Sequence, residues 1–172
     1  MPTITCIEDL RQLAQARVPR MFYDYADAGS YTEGTYRANE DDFRRIQFRQ
    51  RAAVNLENRS PRPPHLRPDH PLPVYLAPTR LPGIQPAARA MLAARAARDF
   101  GVPFTLSTMS ICSIEDVAEA TGGHPFWFQL YVMRDRDFML RLIDRAHAAN
   151  CSALVLTLDL QVLGQRHKDI KN

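Results

Sequence analysis

Apolar residues in the second half of this chain come in short, nearly continuous runs separated by helical patterns. That alternation sets the fold class. Val74 to Pro78, Phe104 to Thr108, Phe126 to Tyr131 and Leu154 to Asp159 are apolar runs of strand length. Strands read this way when both faces of a parallel sheet are buried, because neither face needs polar residues for water. Between them lie three helical stretches: Pro86 to Arg98, rich in alanine, Ser113 to Ala120, headed by the capping residue Ser113, and Asp135 to Ala149. Strands alternating with helices argue for βα units, in a barrel or a doubly wound sheet. No GxGxxG follows any strand, which counts against a dinucleotide-binding Rossmann fold. Four βα units are half of the eight that close a barrel. The expectation is therefore an α/β chain of the TIM-type (β/α)8 class, here a half-barrel of about four parallel strands.

The first 45 residues read as a helical extension. Thr5-Cys-Ile-Glu8 is a capping-box pattern leading into a helix to Arg17, and Pro19 opens a second short helix that Gly29 can close. Ser30-Tyr-Thr-Glu33 is another capping-box pattern, heading a helix to about Arg44. Residues 46–72 form an extended, Pro-rich connector in which Ile46, Phe48 and Val54 could make short strands. Residues 73–172 carry the βα units.

Composition narrows the function classes only modestly. The chain is 45% apolar and 24% charged with a net charge of +3, ordinary for a globular protein. Its basic residues form no dense run, so nucleic acid is not an expected partner. The three cysteines, Cys6, Cys112 and Cys151, show no CxxC spacing and no disulfide framework. Cys112 and Cys151 sit among apolar residues and read as small core residues. Met1 to Thr5 lack the basic and apolar regions of a signal peptide, and no apolar run reaches the roughly 18 residues of a membrane span. A cytoplasmic location is expected, with peripheral contact at the inner membrane face as the alternative.

Candidate chemistry collects where the strands end. Pro78, Thr79 and Arg80 follow the first run and Ser107 and Thr108 close the second. Gln129 and Tyr131 lie in the third, and Thr157 and Asp159 end the fourth. A single polar residue ending a strand is commonly structural; four strands doing so at the same end match the way barrel active sites are built. Hydroxyls and a carboxamide offer neutral hydrogen bonds suited to a planar heterocycle, while Arg166 offers a fork suited to a carboxylate. In the aromatic cluster Met21 to Gly29, Phe22 and Tyr23 read as core, and Tyr25 as either packing or a ligand-facing hydroxyl. His65, His70, His124, His147 and His167 have no second ligand at metal spacing, so no metal site is expected.

Several longer blocks carry a resemblance: Pro19-Arg-Met-Phe-Tyr-Asp-Tyr-Ala-Asp-Ala-Gly-Ser30, Leu76-Ala-Pro-Thr79, Ala93-Ala-Arg-Ala-Ala97, Val102 to Ser110, Phe126-Trp-Phe-Gln-Leu-Tyr131 and Leu156 to Asn172. Together they resemble the FMN-dependent α-hydroxy acid dehydrogenase and oxidase family, and within it the bacterial respiratory branch acting on L-lactate. The resemblance implies a βα barrel with a helical N-terminal extension, FMN as cofactor and oxidation of an L-2-hydroxy acid, L-lactate to pyruvate above all. It implies a quinone, cytochrome or oxygen as electron acceptor, and a homo-oligomer. Carried over, Tyr25 and Arg166 would meet the substrate carboxylate and Tyr131 the substrate α-oxygen. Pro78, Thr79 and Arg80 would lie beside the flavin, and Ser107, Gln129 and Thr157 would hydrogen-bond its ring. Two departures stand out. Arg80 occupies a position where the family has Gly or Ala, and Pro86-Ala-Ala-Arg-Ala90 replaces a segment containing His and Gly-Glu. The family's histidine base and phosphate-binding loops belong to the second half of its barrel, so no catalytic base is assigned within residues 1–172. The expected function is that of an N-terminal fragment of such an enzyme. The alternative is an inactive half-barrel or a partner-binding fragment.

Overall fold

A computed structural model describes residues 3–61, 72–79 and 88–172. The chain divides into two compact units. One comprises the first 54 residues together with 162–172, the other residues 55–161.

In the larger unit the βα pattern is realised in order. Helix α4 (Ala88–Phe100) precedes strand β1 (Thr105–Ser107), α5 (Ile114–Ala120), β2 (Trp127–Tyr131), α6 (Arg136–Ala148) and β3 (Ala153–Thr157). The strands form a parallel sheet ordered β1-β2-β3, with Ser107 opposite Gln129, Gln129 opposite Val155 and Tyr131 opposite Thr157. Because side chains alternate along a strand, the pairing sorts the residues by face. Leu106, Phe128 and Leu130 share one face and pack in a core with Ala94, Ile114, Val117, Leu142 and Ala146 from the helices. Thr105, Ser107, Trp127, Gln129, Tyr131, Val155 and Thr157 share the other. Phe128 is fully buried, and losing a phenylalanine of this kind typically costs about 3–5 kcal/mol.

Local chemistry fixes the helix starts. The Ser113 side chain accepts from Asp116 N while Asp116 accepts from Ser113 N, a complete capping box. Asp135 caps α6 by accepting from Phe138 N at 2.8 Å. Glu115 and Arg145 join α5 to α6 through a two-point ion pair of 2.6 and 2.8 Å.

The first expected strand is not one. Residues 74–78 make a single parallel bridge, Leu76 to Phe104, through Leu76 N to Pro103 O and Thr105 N to Leu76 O. Pro73, Pro78 and Pro103 lack amide hydrogens, so too few donors remain around this bridge for a longer ladder. The sheet of the described residues therefore has three strands rather than four. The last strand, β3, exposes apolar side chains on one face, as the edge of a half-barrel would: Leu154 and Leu156 are each 47% exposed. Ile46, Phe48 and Val54 do not form strands. Phe48 is 94% exposed with no neighbouring strand to pair.

The smaller unit holds α1 (Ile7–Arg17), α2 (Arg20–Ala26), α3 (Gly34–Arg45) and the short α7 (His167–Lys171). The cap of α1 is Cys6, not Thr5, because Asp9 rather than Glu8 reaches back to accept from Thr5 N and Cys6 N. Helix α2 begins after Pro19 as expected but stops at Ala26, three residues before Gly29. Its end is capped from far along the chain: Arg166 donates to the Tyr25 carbonyl and Lys168 to the Asp27 carbonyl. Cations suit a helix C-terminus, where carbonyls lack partners and the macrodipole is negative. Helix α3 starts at Gly34 behind a left-handed Glu33 (φ 60°), not behind Ser30, since the Glu33 carboxylate accepts from Gly29 N instead. Gly29 and Gly164 permit close approaches. A Cβ on Gly29 would lie 2.7 Å from Tyr36 Cβ, and one on Gly164 would lie 2.8 Å from Ser30 Cβ. Phe22 and Tyr23, expected as core, are only half-buried; the Tyr23 hydroxyl donates to Asp27 at 2.5 Å and accepts from Arg11 at 2.8 Å.

Candidate active site

The polar face of the sheet carries a hydrogen-bonded chain across all three strands. Met109 N donates to Ser107 Oγ at 3.2 Å, Ser107 Oγ donates to Gln129 Oε1 at 3.1 Å, and Gln129 Nε2 donates to Thr157 Oγ1 at 2.7 Å. The amide orientation follows from the backbone. Thr108 N–H is an obligatory donor 3.3 Å from Oε1, and an NH2 placed there would set two donors against each other. The amide nitrogen therefore faces Thr157. Two consequences follow for donors. The Thr157 hydroxyl, accepting from Gln129, keeps its own proton to give. One Nε2 hydrogen of Gln129 has no acceptor among the described residues, although Gln129 is only 1% exposed. The Thr105 hydroxyl, on the same face, is also buried without a partner. Buried, uncommitted polar atoms are rare in folded proteins and ask for an explanation.

Tyr131, the register partner of Thr157, is half-buried on this same face. Pro78 is half-buried and Thr79 exposed, just beyond the Leu76 bridge. Arg80 lies outside the described residues, as do Pro86 and Ala87, with His65 and His70.

The smaller unit brings Tyr25 and Arg166 together. The Arg166 guanidinium sits over the Tyr25 ring, 5.0 Å from its centroid, donates through Nη2 to the Tyr25 carbonyl and pairs through Nε with Asp169 at 2.7 Å. Stacking on an aromatic face and a carboxylate partner both favour arginine over lysine. The backbone beside it is tied down as well, since Tyr31 N donates to Gln165 O at 2.8 Å.

Among the described residues no histidine lies at the end of a strand. His124 is half-buried in the turn that enters β2, His147 is exposed on α6, and His167 is exposed at the start of α7. Among the described residues no group of His, Cys, Asp or Glu could hold a metal ion, and no helix is long and apolar enough to cross a membrane. Cys112 is buried and Cys151 half-buried against the core, as the sequence suggests, and burial pushes the Cys151 thiol up to about 12.

A family model described as FMN-dependent dehydrogenase matches residues 14–172. The chain belongs to the FMN-dependent dehydrogenase family. Relatives include the L-lactate dehydrogenase of Caulobacter vibrioides, 43% identical over 166 residues, and that of Ectopseudomonas mendocina, 42% identical. Each alignment covers 96% of this chain but only 43% and 44% of the relative. Among solved structures, a lactate oxidase of Pediococcus acidilactici aligns with a TM-score of 0.90 at 32% identity, covering 99% of this chain and 48% of that one. A mandelate oxidase aligns at 0.89 and 32%, covering 99% and 50%. The chain thus spans about half the length of the proteins it matches. Members of the family depend on FMN, and the donor set fits a flavin ring. Neutral hydroxyl and amide donors, with one amide hydrogen uncommitted, suit the acceptor-rich edge of a planar heterocycle.

Two contacts escaped the sequence reading. Lys168 holds α7 against the end of α2, and Asp169 pairs with Arg166 at the start of α7, which only the Arg166-x-x-Asp169 spacing hinted at.

Proposed function

We propose that this chain serves the FMN-dependent oxidation of an L-2-hydroxy acid, L-lactate to pyruvate as the leading case. In this reading it supplies the N-terminal half of a (β/α)8 barrel, as a fragment of such an enzyme. The observation that carries the reading is the Ser107–Gln129–Thr157 chain, three neutral side chains linked across adjacent parallel strands in a family whose members depend on FMN. Ser107, Gln129 and Thr157 would hold the flavin ring, with Pro78, Thr79 and Arg80 beside it. Arg166 and Tyr25 would hold the substrate carboxylate, and Tyr131 would face its α-oxygen.

When bound, FMN supplies the acceptor for the two electrons that leave the alcohol as it becomes a 2-oxo acid. The residues of this chain bind and orient: Arg166 through its open fork edge, Tyr131 through its hydroxyl, and the strand-end hydroxyls through neutral hydrogen bonds. The base that takes the substrate proton is assigned to the part of the family's barrel outside these residues, because no histidine among the described residues occupies a strand end. Electrons would pass on to a quinone, a cytochrome or oxygen.

Loss of a positioned base costs about 10²–10⁴-fold. The polypeptide of residues 1–172, purified by itself, is expected to retain negligible flavin and to reduce no dye with L-lactate. Adding the remaining barrel segment of a relative should restore both. A second reading, a non-catalytic partner-binding module, draws on the exposed Leu154 and Leu156 of β3. It gains if the supplemented protein stays colourless.

A further inference from the structure

We propose that Asp169 is a positioning residue that holds Arg166 in its carboxylate-binding pose. The inference rests on the reading of Arg166 as the carboxylate anchor and adds the group that aims it.

Asp169 is the third residue of α7, and Arg166 caps that helix. The same position is acidic in two other helices of this protein, and there it does something else. Asp9 in α1 and Asp116 in α5 each turn back to accept from the backbone N–H of the cap residue, at 3.1 and 2.9 Å. Those are ordinary capping boxes. Asp169 instead gives its Oδ2 to the side chain of the cap residue, meeting Arg166 Nε at 2.7 Å. Its other oxygen, Oδ1, is buried with no hydrogen-bond partner, and so is Arg166 Nε, so the two side chains meet as an ion pair and not through an aligned hydrogen bond. A carboxylate serving only to cap the helix would not leave its cap hydrogen bond unmade and one oxygen unmatched.

What this contact does to the guanidinium is specific. Arginine has five N–H donors in a rigid fork. Nε lies beside Asp169 in an ion pair at 2.7 Å, one Nη2 hydrogen is given to the Tyr25 carbonyl, and one face is covered by the Tyr25 ring at 5.0 Å. Both hydrogens of Nη1 and one of Nη2 remain, and these define the edge that grips a carboxylate at two points. Asp169 thus fixes the rotation of the plane from the Nε side while leaving the gripping edge open. Freed of it, the long side chain would regain rotamers that an anion must then order at a cost in affinity.

The docking of α7 does not depend on this contact. Lys168 Nζ lies 3.4 Å from the Asp27 carbonyl and 3.4 Å from Glu33 Oε1, and Asn172 Nδ2 donates to Asp24 at 2.9 Å. Removing the Asp169 carboxylate should therefore leave the helix in place.

The test uses the full chain, with oxalate as the anionic probe in calorimetric titration and the Arg166 Nε–H followed by nitrogen-15 NMR. The original protein should show a slowly exchanging Arg166 Nε–H and measurable oxalate binding. Asp169→Ala should lose the slow exchange and weaken oxalate binding by about tenfold or more, with the backbone spectrum otherwise unchanged. Asp169→Asn, which keeps an oxygen for Nε, should recover part of both and covers the case in which the alanine variant misfolds. Lys168→Ala should lower the melting temperature without changing oxalate affinity. Oxalate affinity or Nε–H exchange unchanged in both Asp169 variants would overturn the positioning role while leaving Arg166 as the anchor. An original protein that binds no oxalate would overturn the carboxylate reading itself, and this proposal with it.

Discussion

Gln129 Nε2 lies 2.7 Å from Thr157 Oγ1, joining the middle strand of the sheet to its edge. Gln129 faces Val155 in the ladder, so its side chain reaches diagonally to the residue two further on, on the same face. The same amide accepts from Ser107 on the other side, so one side chain links three strands. Gln129→Leu should remove both links and strand the Ser107 hydroxyl in a buried place. The expected loss is about 1–3 kcal/mol, read from urea denaturation with an unchanged m-value.

The second relationship is the approach of Gly164 to Ser30. A methyl group at Gly164 has no room beside the Ser30 side chain. Gly164→Ala should push the segment carrying Arg166 away from the loop it packs on, at about 1–3 kcal/mol of strain. Differential scanning calorimetry should show a lower melting temperature. Gly34→Ala, where a Cβ meets nothing within 4 Å, is the matched control with little change.

Much of this architecture is legible in the sequence, and the failures share a cause. Short apolar runs mark β1 and β2 because burial in a parallel sheet imposes a local pattern, and β3 carries the same kind of run although one of its faces is exposed. Ser113 and Asp135 mark helix starts because their bonds span only three residues. The end of α2 was misplaced because Arg166 and Lys168, the groups that cap it, lie 141 residues away from the carbonyls they reach. The 74–78 strand shrank to one bridge because its prolines matter only once a ladder is counted donor by donor. For the candidate site, strand-end polar residues and the family resemblance named Ser107, Gln129 and Thr157. Their linkage through a single amide, and the pairing of Asp169 with Arg166, depend on the folded arrangement and carry no local signal.

The Glu115–Arg145 pair gives a pH dependence of known sign. The Arg145 guanidinium holds the Glu115 carboxyl down to about 2 from its ordinary value of 4.5. A depressed acid pKa contributes stability above the unfolded value, and that contribution is lost as pH falls from about 4.5 toward 2. Both side chains are about half exposed, so the pair is worth at most about 1 kcal/mol at neutral pH. Glu115→Gln should flatten the acid limb of the stability curve in that window and change little at pH 7.

Thiol chemistry separates Cys6 from Cys151. Cys6 is exposed, whereas burial raises the Cys151 thiol to about 12 and leaves almost no thiolate at pH 8. Iodoacetamide at pH 8, followed by mass spectrometry of the peptides, should label Cys6 within minutes. Cys151 should be labelled only after urea is added. Equal labelling of the two in the folded protein would contradict the packing described for the end of α6 and the start of β3.

The central claim is that the polar chain on the sheet holds a flavin. Its most direct test is the visible absorption spectrum of this chain produced together with the remaining barrel segment of the Caulobacter vibrioides relative. The original sequence should purify yellow, with flavin absorbance that bleaches on adding L-lactate. The double variant Gln129→Leu with Thr157→Val should fold but lose most of the bound flavin. A folded, soluble assembly that stays colourless, or one that keeps its flavin equally well in the double variant, would contradict the account.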